Sequence, residues 1–325
     1  MAFASLLAIS ALSSVAAALL WRIIKQPACR WSSTARARLI FALRTAPAAC
    51  SLICVSALLL PAYLAHEPQH STETVSAKLA LISLLSIFWV ALVLWRTFAA
   101  WRATRMLTAD WLLRAESISI GGVSIPTYKL HHPFPVIAMV GALRPKLFIA
   151  AHLFDALDEE ELMAALLHEE AHLTACDNFK RPLMRACCDV LKIAPYNRAI
   201  ERLWAEEAER AADEYAARIG GAASALSLAT ALIKIARLAP EGGRPAMPVG
   251  SFLVGESETQ LADRVWRLTW LASQRAQRQA SATHARLFNG FLSCSLFVML
   301  YLLITQTNIL VRLHAVIELF VTALQ

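Results

Sequence analysis

The chain has 325 residues, of which 58% are hydrophobic and 17% are charged, and it contains only 10 glycines. This composition excludes a disordered, collagen-like or highly solvated protein, because such chains are polar or rich in glycine. The formal net charge is +7. No basic stripe is interleaved with aromatic residues, so we expect no direct binding of nucleic acid. The apolar residues are concentrated in blocks, which is typical of a membrane protein.

Four uncharged apolar stretches are long enough to cross a bilayer, whose hydrocarbon core takes roughly 20 helical residues. They cover residues 2–20, 46–65, 79–95 and 287–310. A buried core helix of a soluble protein would explain one such stretch better than it explains four. The sequence therefore predicts an α-helical membrane protein with four transmembrane helices.

The distribution of charge between these stretches predicts their orientation. The loop between the first two is basic and contains no acidic residue, whereas the segment HEPQHSTETVS between the second and third carries Glu67 and Glu73 and no Lys or Arg. Because short basic loops stay on the cytoplasmic side, we expect the first loop inside, the second outside and the N-terminus outside. The same rule places the long insertion between the third and fourth stretches in the cytosol.

The chain thus divides into three parts: residues 1–101 with three transmembrane helices and a basic cytosolic loop, 102–286 as a cytosolic domain, and 287–325 with the fourth helix and a short extracytoplasmic tail. The domain begins with four short strand patterns, SISI, VSIPTYKL, VIAMV and KLFIAA. Helical patterns follow, and the first of them opens with Asp158 as N-cap and Glu161 at the capping-box position. We expect a second helix near residues 182–194, stopped by Pro195, and a third over about 199–219, ended by Gly220 and Gly221.

The central motif is His168-Glu169-Glu170-Ala171-His172. On a helix, His168 and His172 lie one turn apart on the same face, so both imidazoles can reach one ion while Glu169 lies beside them. Two histidines leave Zn²⁺ with open positions for a third ligand and a water, whose proton Glu169 can take as general base. The pattern alone has false positives, and a solvated pair of histidines on an acidic helix is the alternative.

The third ligand has to come from a later helix, and the acids of the segment ERLWAEEAERAADEYAAR are the candidates. At about 100° per residue, Glu209 lies at the edge of that helix's apolar stripe, among alanines that would allow a close helix approach. Asp213 is either an acceptor for a ligand histidine N–H or a surface acid paired with Arg210. We expect Glu206, Glu207 and Glu214 to be solvated. The predicted stripe consists of Ile200, Trp204, Ala208, Ala211 and Tyr215.

Several further residues have an ordinary interpretation. Asp177, at the end of the histidine helix, is a candidate for a capping role or for supporting a ligand from behind. Cys176 is expected to fill core space rather than to bind metal. Arg44 is expected to snorkel to the membrane interface. Tyr196 and Tyr215 are possible donors to a tetrahedral oxyanion, and that role stays unassigned.

The runs VGALRPKLFIAAHLFDALDEEELMAALLHEEAHLTACDN and EAERAADEYA resemble the membrane zinc peptidases of the BlaR/MecR antirepressor type and the related prenyl-protease and HtpX group. The third-ligand signature of that group, ExxAD, matches the segment from Glu209 to Asp213. The resemblance covers about residues 136–213 and the layout of three spans, a protease domain and one span. It implies an α+β zincin-like (gluzincin) domain between helices 3 and 4, with one Zn²⁺ per chain bound by His168, His172 and Glu209. It also implies that KLFIA is the edge strand on which a substrate backbone is laid.

The resemblance implies a zinc metalloendopeptidase of a bacterial-type plasma (inner) membrane, acting on a cytosolic or membrane-proximal protein or peptide, such as a transcriptional repressor in a signalling pathway. Antirepressor sensors also carry a penicillin-binding domain with an SxxK motif after the last span. Here about 13 residues follow Arg312, so we expect sensing to require a separate partner protein or an intramembrane signal. Two alternatives stay open: a housekeeping quality-control protease of the membrane, and a non-catalytic scaffold with a structural zinc site.

Overall fold

The computed structural model describes residues 2–59, 77–187, 194–239 and 258–273, which are mostly helical. The helices are α1 (Ala2–Ala28), α2 (Ser33–Cys54), α3 (Ala77–Leu113), α4 (Leu153–Ala156), α5 (Glu159–Thr174), α6 (Asp177–Ala186), α7 (Ala194–Leu238) and α8 (Glu258–Ser273). A π-helical segment, Val55–Leu59, continues α2. The strands are β1 (Ala115–Ile118), β2 (Thr127–Leu130), β3 (Ile137–Val140) and β4 (Lys146–Ala150).

Four described helices are long and apolar enough to cross a membrane: Ser5–Ala28, Ser33–Ala57, Ala80–Leu113 and Ala199–Leu238. The first three overlap the first three predicted stretches. The second begins at Ser33, well before the predicted residue 46, so much of the predicted basic loop is helical. The predicted fourth stretch, 287–310, lies outside the described residues. In the last of the four helices, Leu228, Leu232 and Ile235 are buried in the core beside the sheet. A helix buried in a protein core is as apolar as a membrane span. The composition of this segment therefore fits a membrane span, although its apolar side chains pack in the core.

Helix α3 connects the apolar segment to the sheet. It has 37 residues, and at 1.5 Å per residue it is about 55 Å long, well beyond the roughly 30 Å of a hydrocarbon core. Near its end, Trp111 is 3% exposed and its ring packs edge-on against Phe148 of β4, with 5.1 Å between the ring centroids. The helix therefore ends inside the same core that holds the sheet.

The sheet has the strand order β1-β2-β4-β3. Strands β2 and β4 are parallel, and the two outer pairs are antiparallel. All four predicted strands are present, shifted by a few residues. The KLFIA strand, β4, is central, so its expected position at the edge is wrong. The chain folds back after residue 140, and β4 then lies between β2 and β3. Strand β3 is therefore the edge strand on this side of the sheet.

The helices after the sheet follow the predicted signals at some points and depart from them at others. Helix α5 begins as predicted: Asp158 and Glu161 form a reciprocal capping box. The second helix is misplaced, because α6 runs over Asp177–Ala186 with Pro182 inside it, and Pro195 lies in the first turn of α7, where a proline is tolerated. Gly221 interrupts α7 with φ of 75°, as the glycine pair predicted, but a helix resumes and continues to Leu238.

Helix α2 packs antiparallel along α7, and we call this contact the α2–α7 interface. Its polar pairs are Ser33 with Glu214, Arg36 with Glu207, and Arg44 with Glu201. Apolar residues fill the space between them: Ala37 and Ile40 from α2, with Trp204 and Ala208 from α7.

Three expectations about these charged residues are wrong. Glu207 is 2% exposed rather than solvated, and Glu214 is half-buried and bonded to Ser33 and Arg267. Arg44 is 4% exposed and donates to the backbone oxygen of Cys187 at 2.6 Å, so it does not extend to an interface. Glu207 and Arg44 are buried, and Glu214 is partly covered, because α2 and α7 pack against each other. The sequence of α7 alone does not reveal this contact.

Candidate metal centre

The two histidines of α5 lie side by side in the protein interior. His168 is 0% exposed and His172 is 3% exposed. Their Nε2 atoms are 3.2 Å apart, and the rings are nearly perpendicular, with an interplanar angle of 79°. The spacing of four residues in one helix brings both side chains to the same face, as the sequence predicted.

Glu209 of α7 completes a group of three. Its Oε2 lies 3.3 Å from His168 Nε2, and its Oε1 lies 3.6 Å from His172 Nε2. Small residues on the same face of α7, Ala212 at 2% exposure and Ala216 at 0%, let the helices approach closely. These side chains, all buried, offer ligand atoms within 4.8 Å of one another and could hold a metal ion.

Carboxylates lie behind both histidines. Asp213 Oδ1 is 3.0 Å from His168 Nδ1, and Asp177 Oδ2 is 2.9 Å from His172 Nδ1. A carboxylate that accepts the Nδ1–H of a neutral imidazole leaves the lone pair on Nε2. If both imidazoles are neutral, two such lone pairs face each other across 3.2 Å, an arrangement that a cation between them would stabilise. The proposed pairing of Asp213 with Arg210 does not occur, since Arg210 instead contacts Glu207.

Arg264 of α8 is a site residue that the sequence did not reveal. Its Nε donates to Asp213 Oδ2 at 3.0 Å and its Nη2 donates to Asp213 Oδ1 at 2.8 Å, while its Nη1 lies 3.5 Å from Glu209 Oε2. The residue is 6% exposed. A signal for it existed: it occupies one face of α8 with Leu261, Val265 and Leu268, the i, i+3, i+4, i+7 spacing that marks a buried face. An arginine on a buried face needs an acidic partner, because burial of an unpaired charge is costly.

A second arginine reaches Glu209 from the opposite side. Arg181 Nη2 of α6 donates to Glu209 Oε1 at 3.3 Å, and its guanidinium lies 5.4 Å from the ring centroid of Trp204. Glu209 is therefore bracketed by the guanidinium groups of Arg181 and Arg264, each contacting a different carboxylate oxygen. No comparable pattern in the sequence indicates this contact, because Arg181 lies in a segment rich in charge.

Glu169 lies beside the three possible ligands. It is 2% exposed, and neither of its carboxylate oxygens has a hydrogen-bond partner of good geometry. Burial raises the pKa of Glu169, and the two histidines and the backbone amide of Met139 in β3 lower it by less. Asn178 donates to the Met139 carbonyl at 2.9 Å and so ties the start of α6 to this edge strand. A buried carboxylate without a partner is uncommon, and such groups concentrate at functional sites.

The histidines hold protons more strongly than ordinary imidazoles do. Burial lowers the pKa of His168, but the carboxylates of Asp213 and Glu209 outweigh burial and raise it. Burial lowers the pKa of His172 as well, but the charge of Glu209 and the bond to Asp177 raise it to about 10. The same carboxylates that attract these protons would attract a metal cation in their place.

Other candidate residues lie apart from this group. Cys176 is exposed and in a left-handed conformation, with φ of 57°, so the expectation of a core filler is wrong. The hydroxyl of Tyr215 donates to Glu170 at 3.3 Å. Ala211 and Tyr215 are only half-buried, and the stripe continues instead through Ala212 and Ala216. The side chain of Tyr196 lies outside the described residues.

Comparison with known proteins adds no relative. No protein-family model matches the chain, and no curated protein matches it.

Proposed function

We propose that this protein is a membrane-embedded, zinc-dependent endopeptidase that hydrolyses peptide bonds of a cytosolic or membrane-proximal protein. The observation that carries the proposal is the buried triangle of His168, His172 and Glu209 with the unpaired carboxylate of Glu169 next to it. A purely structural metal site has no use for an unpaired buried carboxylate. The sheet, the histidine helix α5 and a glutamate from a later helix support a zincin-like (gluzincin) domain.

The spacing of the donor atoms supports zinc as the metal. Ligand atoms bound tetrahedrally at about 2.0–2.1 Å from a zinc ion are about 3.3 Å apart. The Nε2 atoms of the histidines are 3.2 Å apart. Each of them faces a different oxygen of Glu209, Oε2 at 3.3 Å from His168 and Oε1 at 3.6 Å from His172. Two imidazoles and one carboxylate form the ligand set of zinc hydrolases that keep a fourth position open.

The protein's own residues then have defined tasks. Zinc bound by this set would lower the pKa of a water to about 7 and polarise a carbonyl oxygen. Glu169 accepts the proton of the attacking water and delivers it to the leaving amine. Asp213 and Asp177 hold His168 and His172 in the tautomer that binds the metal.

The test is zinc content and peptide hydrolysis of the detergent-purified full-length chain, compared among wild type, Glu169→Gln and Glu209→Ala. We expect one zinc per chain and hydrolysis of a casein substrate in the wild type. Glu169→Gln should keep the zinc and lose at least about a hundredfold in rate, the lower range for a lost general base. Glu209→Ala should lose both, because two histidines alone hold zinc weakly.

Two results would contradict the proposal. Wild-type protein without zinc after metal-replete purification would show that these residues do not bind zinc. Full activity of Glu169→Gln would show that another group takes the proton. Zinc binding without hydrolysis of any substrate would instead support a non-catalytic scaffold.

A further inference from the structure

A groove between α6 and α7 adjoins the metal centre. It encloses about 240 Å³ and is lined by Arg181, Met184 and Arg185 from α6 and by Glu201, Arg202 and Trp204 from α7. Arg181 forms the wall shared with the metal centre, because its guanidinium contacts Glu209 Oε1 at 3.3 Å. Glu209 Oε1 is in turn 3.6 Å from His172 Nε2. A ligand in the groove is therefore one side chain away from the possible metal ligands.

The groove has an excess of positive charge. Three of its lining residues are arginines and one, Glu201, is acidic. Arg181 pairs with Glu209 at 3.3 Å, and Glu201 pairs with Arg44 of α2 at 3.5 Å. Arg202 is exposed and makes no ion pair within the described part of the chain. Guanidinium groups recognise carboxylates through paired hydrogen bonds, so this surface attracts an anion that has carboxylate geometry.

The groove also has more hydrogen-bond donors than acceptors. Arg181 Nε and Trp204 Nε1 are buried N–H groups without an acceptor. A volume of about 240 Å³ corresponds to about eight water molecules at about 30 Å³ each. This is enough room for an acidic side chain.

We propose that this groove is a specificity subsite that binds a carboxylate of the peptide substrate, supplied by an aspartate or glutamate side chain near the scissile bond. The identity of the ligand as a peptide rests on the proposed endopeptidase function. The carboxylate chemistry rests on the groove itself. Arg202 attracts the acid from the exposed side of the groove, and Arg181 links the subsite to the metal centre.

The experiment measures binding, so that it does not depend on turnover. Dye-labelled peptides with blocked ends, (Ala-Glu)5, (Ala-Gln)5 and (Ala-Lys)5, are titrated into the full-length Glu169→Gln protein in detergent, and fluorescence anisotropy gives each Kd. We expect the glutamate peptide to bind at least about fivefold more tightly than the other two. Arg202→Glu, added to this protein, should abolish that preference, and Arg202→Gln should reduce it.

The matched control is Arg218→Glu, which makes the same change of charge at an exposed position of α7 outside the groove. It should retain the preference. An (Ala-Gln)5 peptide with a free C-terminus tests whether a terminal carboxylate is bound in the same way. Equal binding of all peptides, an unchanged preference in Arg202→Glu, or an equal loss in Arg218→Glu would each overturn the subsite.

The outcome is separable from that of the proposed function. If the wild type cleaves none of the peptides or casein while the Arg202-dependent preference holds, the subsite stands and the endopeptidase fails. If hydrolysis occurs and the preference is absent, the endopeptidase stands and the subsite fails.

Discussion

Arg264 links α8 to both acidic residues that α7 contributes to the metal centre. Asp213 is 0% exposed and Glu209 is 7% exposed, and two carboxylates this close repel each other in a medium of low dielectric constant. The paired hydrogen bonds to Asp213 offset that repulsion and hold its carboxylate against His168 Nδ1. Arg264 is therefore a positioning residue that acts on the metal through Asp213 and Glu209.

Replacement of Arg264 by lysine should weaken zinc binding by about 10- to 100-fold, the usual effect of losing a partner behind a metal ligand. Lysine keeps the charge but cannot form the paired hydrogen bonds to Asp213. Competition with a chromogenic chelator measures the zinc Kd. The control is Arg267→Lys on the same helix, because Arg267 contacts Glu214 and Ser33 instead. Equal zinc affinity of Arg264→Lys and wild type would show that Arg264 does not position the metal ligands.

At the scale of elements, the α2–α7 interface connects an apolar helix directly to the helix that carries Glu209. The polar pairs follow both helices in opposite directions, from Ser33 with Glu214 to Arg44 with Glu201. Glu207 lies between Arg36 and Arg210, which contacts its Oε1 at 2.7 Å. A displacement of α2 would thus act on the position of α7 and so on the metal centre.

Replacement of Arg36 by methionine should destabilise the protein by about 1–3 kcal/mol, because it removes a charged donor from the buried Glu207 carboxylate. The estimate is below that for a fully buried pair, since the Arg36 side chain is 20% exposed and Arg210 stays in place. Thermal unfolding in detergent should show a lower Tm. Arg38→Met, at an exposed position of the same helix, is the control and should leave the Tm unchanged. The same loss in Glu207→Gln and in the double variant would assign the effect to this pair.

At the scale of the whole molecule, the contacts of α2 indicate on which side of a bilayer the metal centre lies relative to the turn between α1 and α2. Ser33 and Arg36 lie at the start of α2 and contact α7, whereas the more apolar residues follow later in the helix. If α2 spans the bilayer, the α1–α2 turn and the metal centre are on the same side. The positive-inside rule then predicts that both are in the cytosol, because that turn lies in the basic loop.

This arrangement predicts the labelling of two exposed cysteines, Cys29 in the turn and Cys176 after α5. A membrane-impermeant maleimide should label neither in intact cells and both in inside-out vesicles. Single-cysteine variants that retain one or the other residue separate the two signals. Labelling of Cys29 and Cys176 from opposite sides would contradict the predicted topology.

Local patterns predicted much of the fold and much of the candidate site. The HEEAH spacing indicated the histidine pair, and the capping box indicated where α5 begins, because both depend on residues within a turn of each other. Glu209 was selected among six acids by the face it occupies on α7. Arg264 was not selected, since its contact with Asp213 spans 51 residues and depends on how α8 docks.

The sequence by itself determined the apolar helices, the four short strands, the capped histidine helix and the break at Gly221, because the interactions that favour each lie within a few residues. Only the tertiary structure decided that β4 is central and β3 is at the edge, that the second half of α7 packs beside the sheet, and that Glu207 and Arg44 are buried. These features depend on which surfaces cover one another. The free energy of that burial is shared between segments far apart in the chain, so no single segment carries its signal.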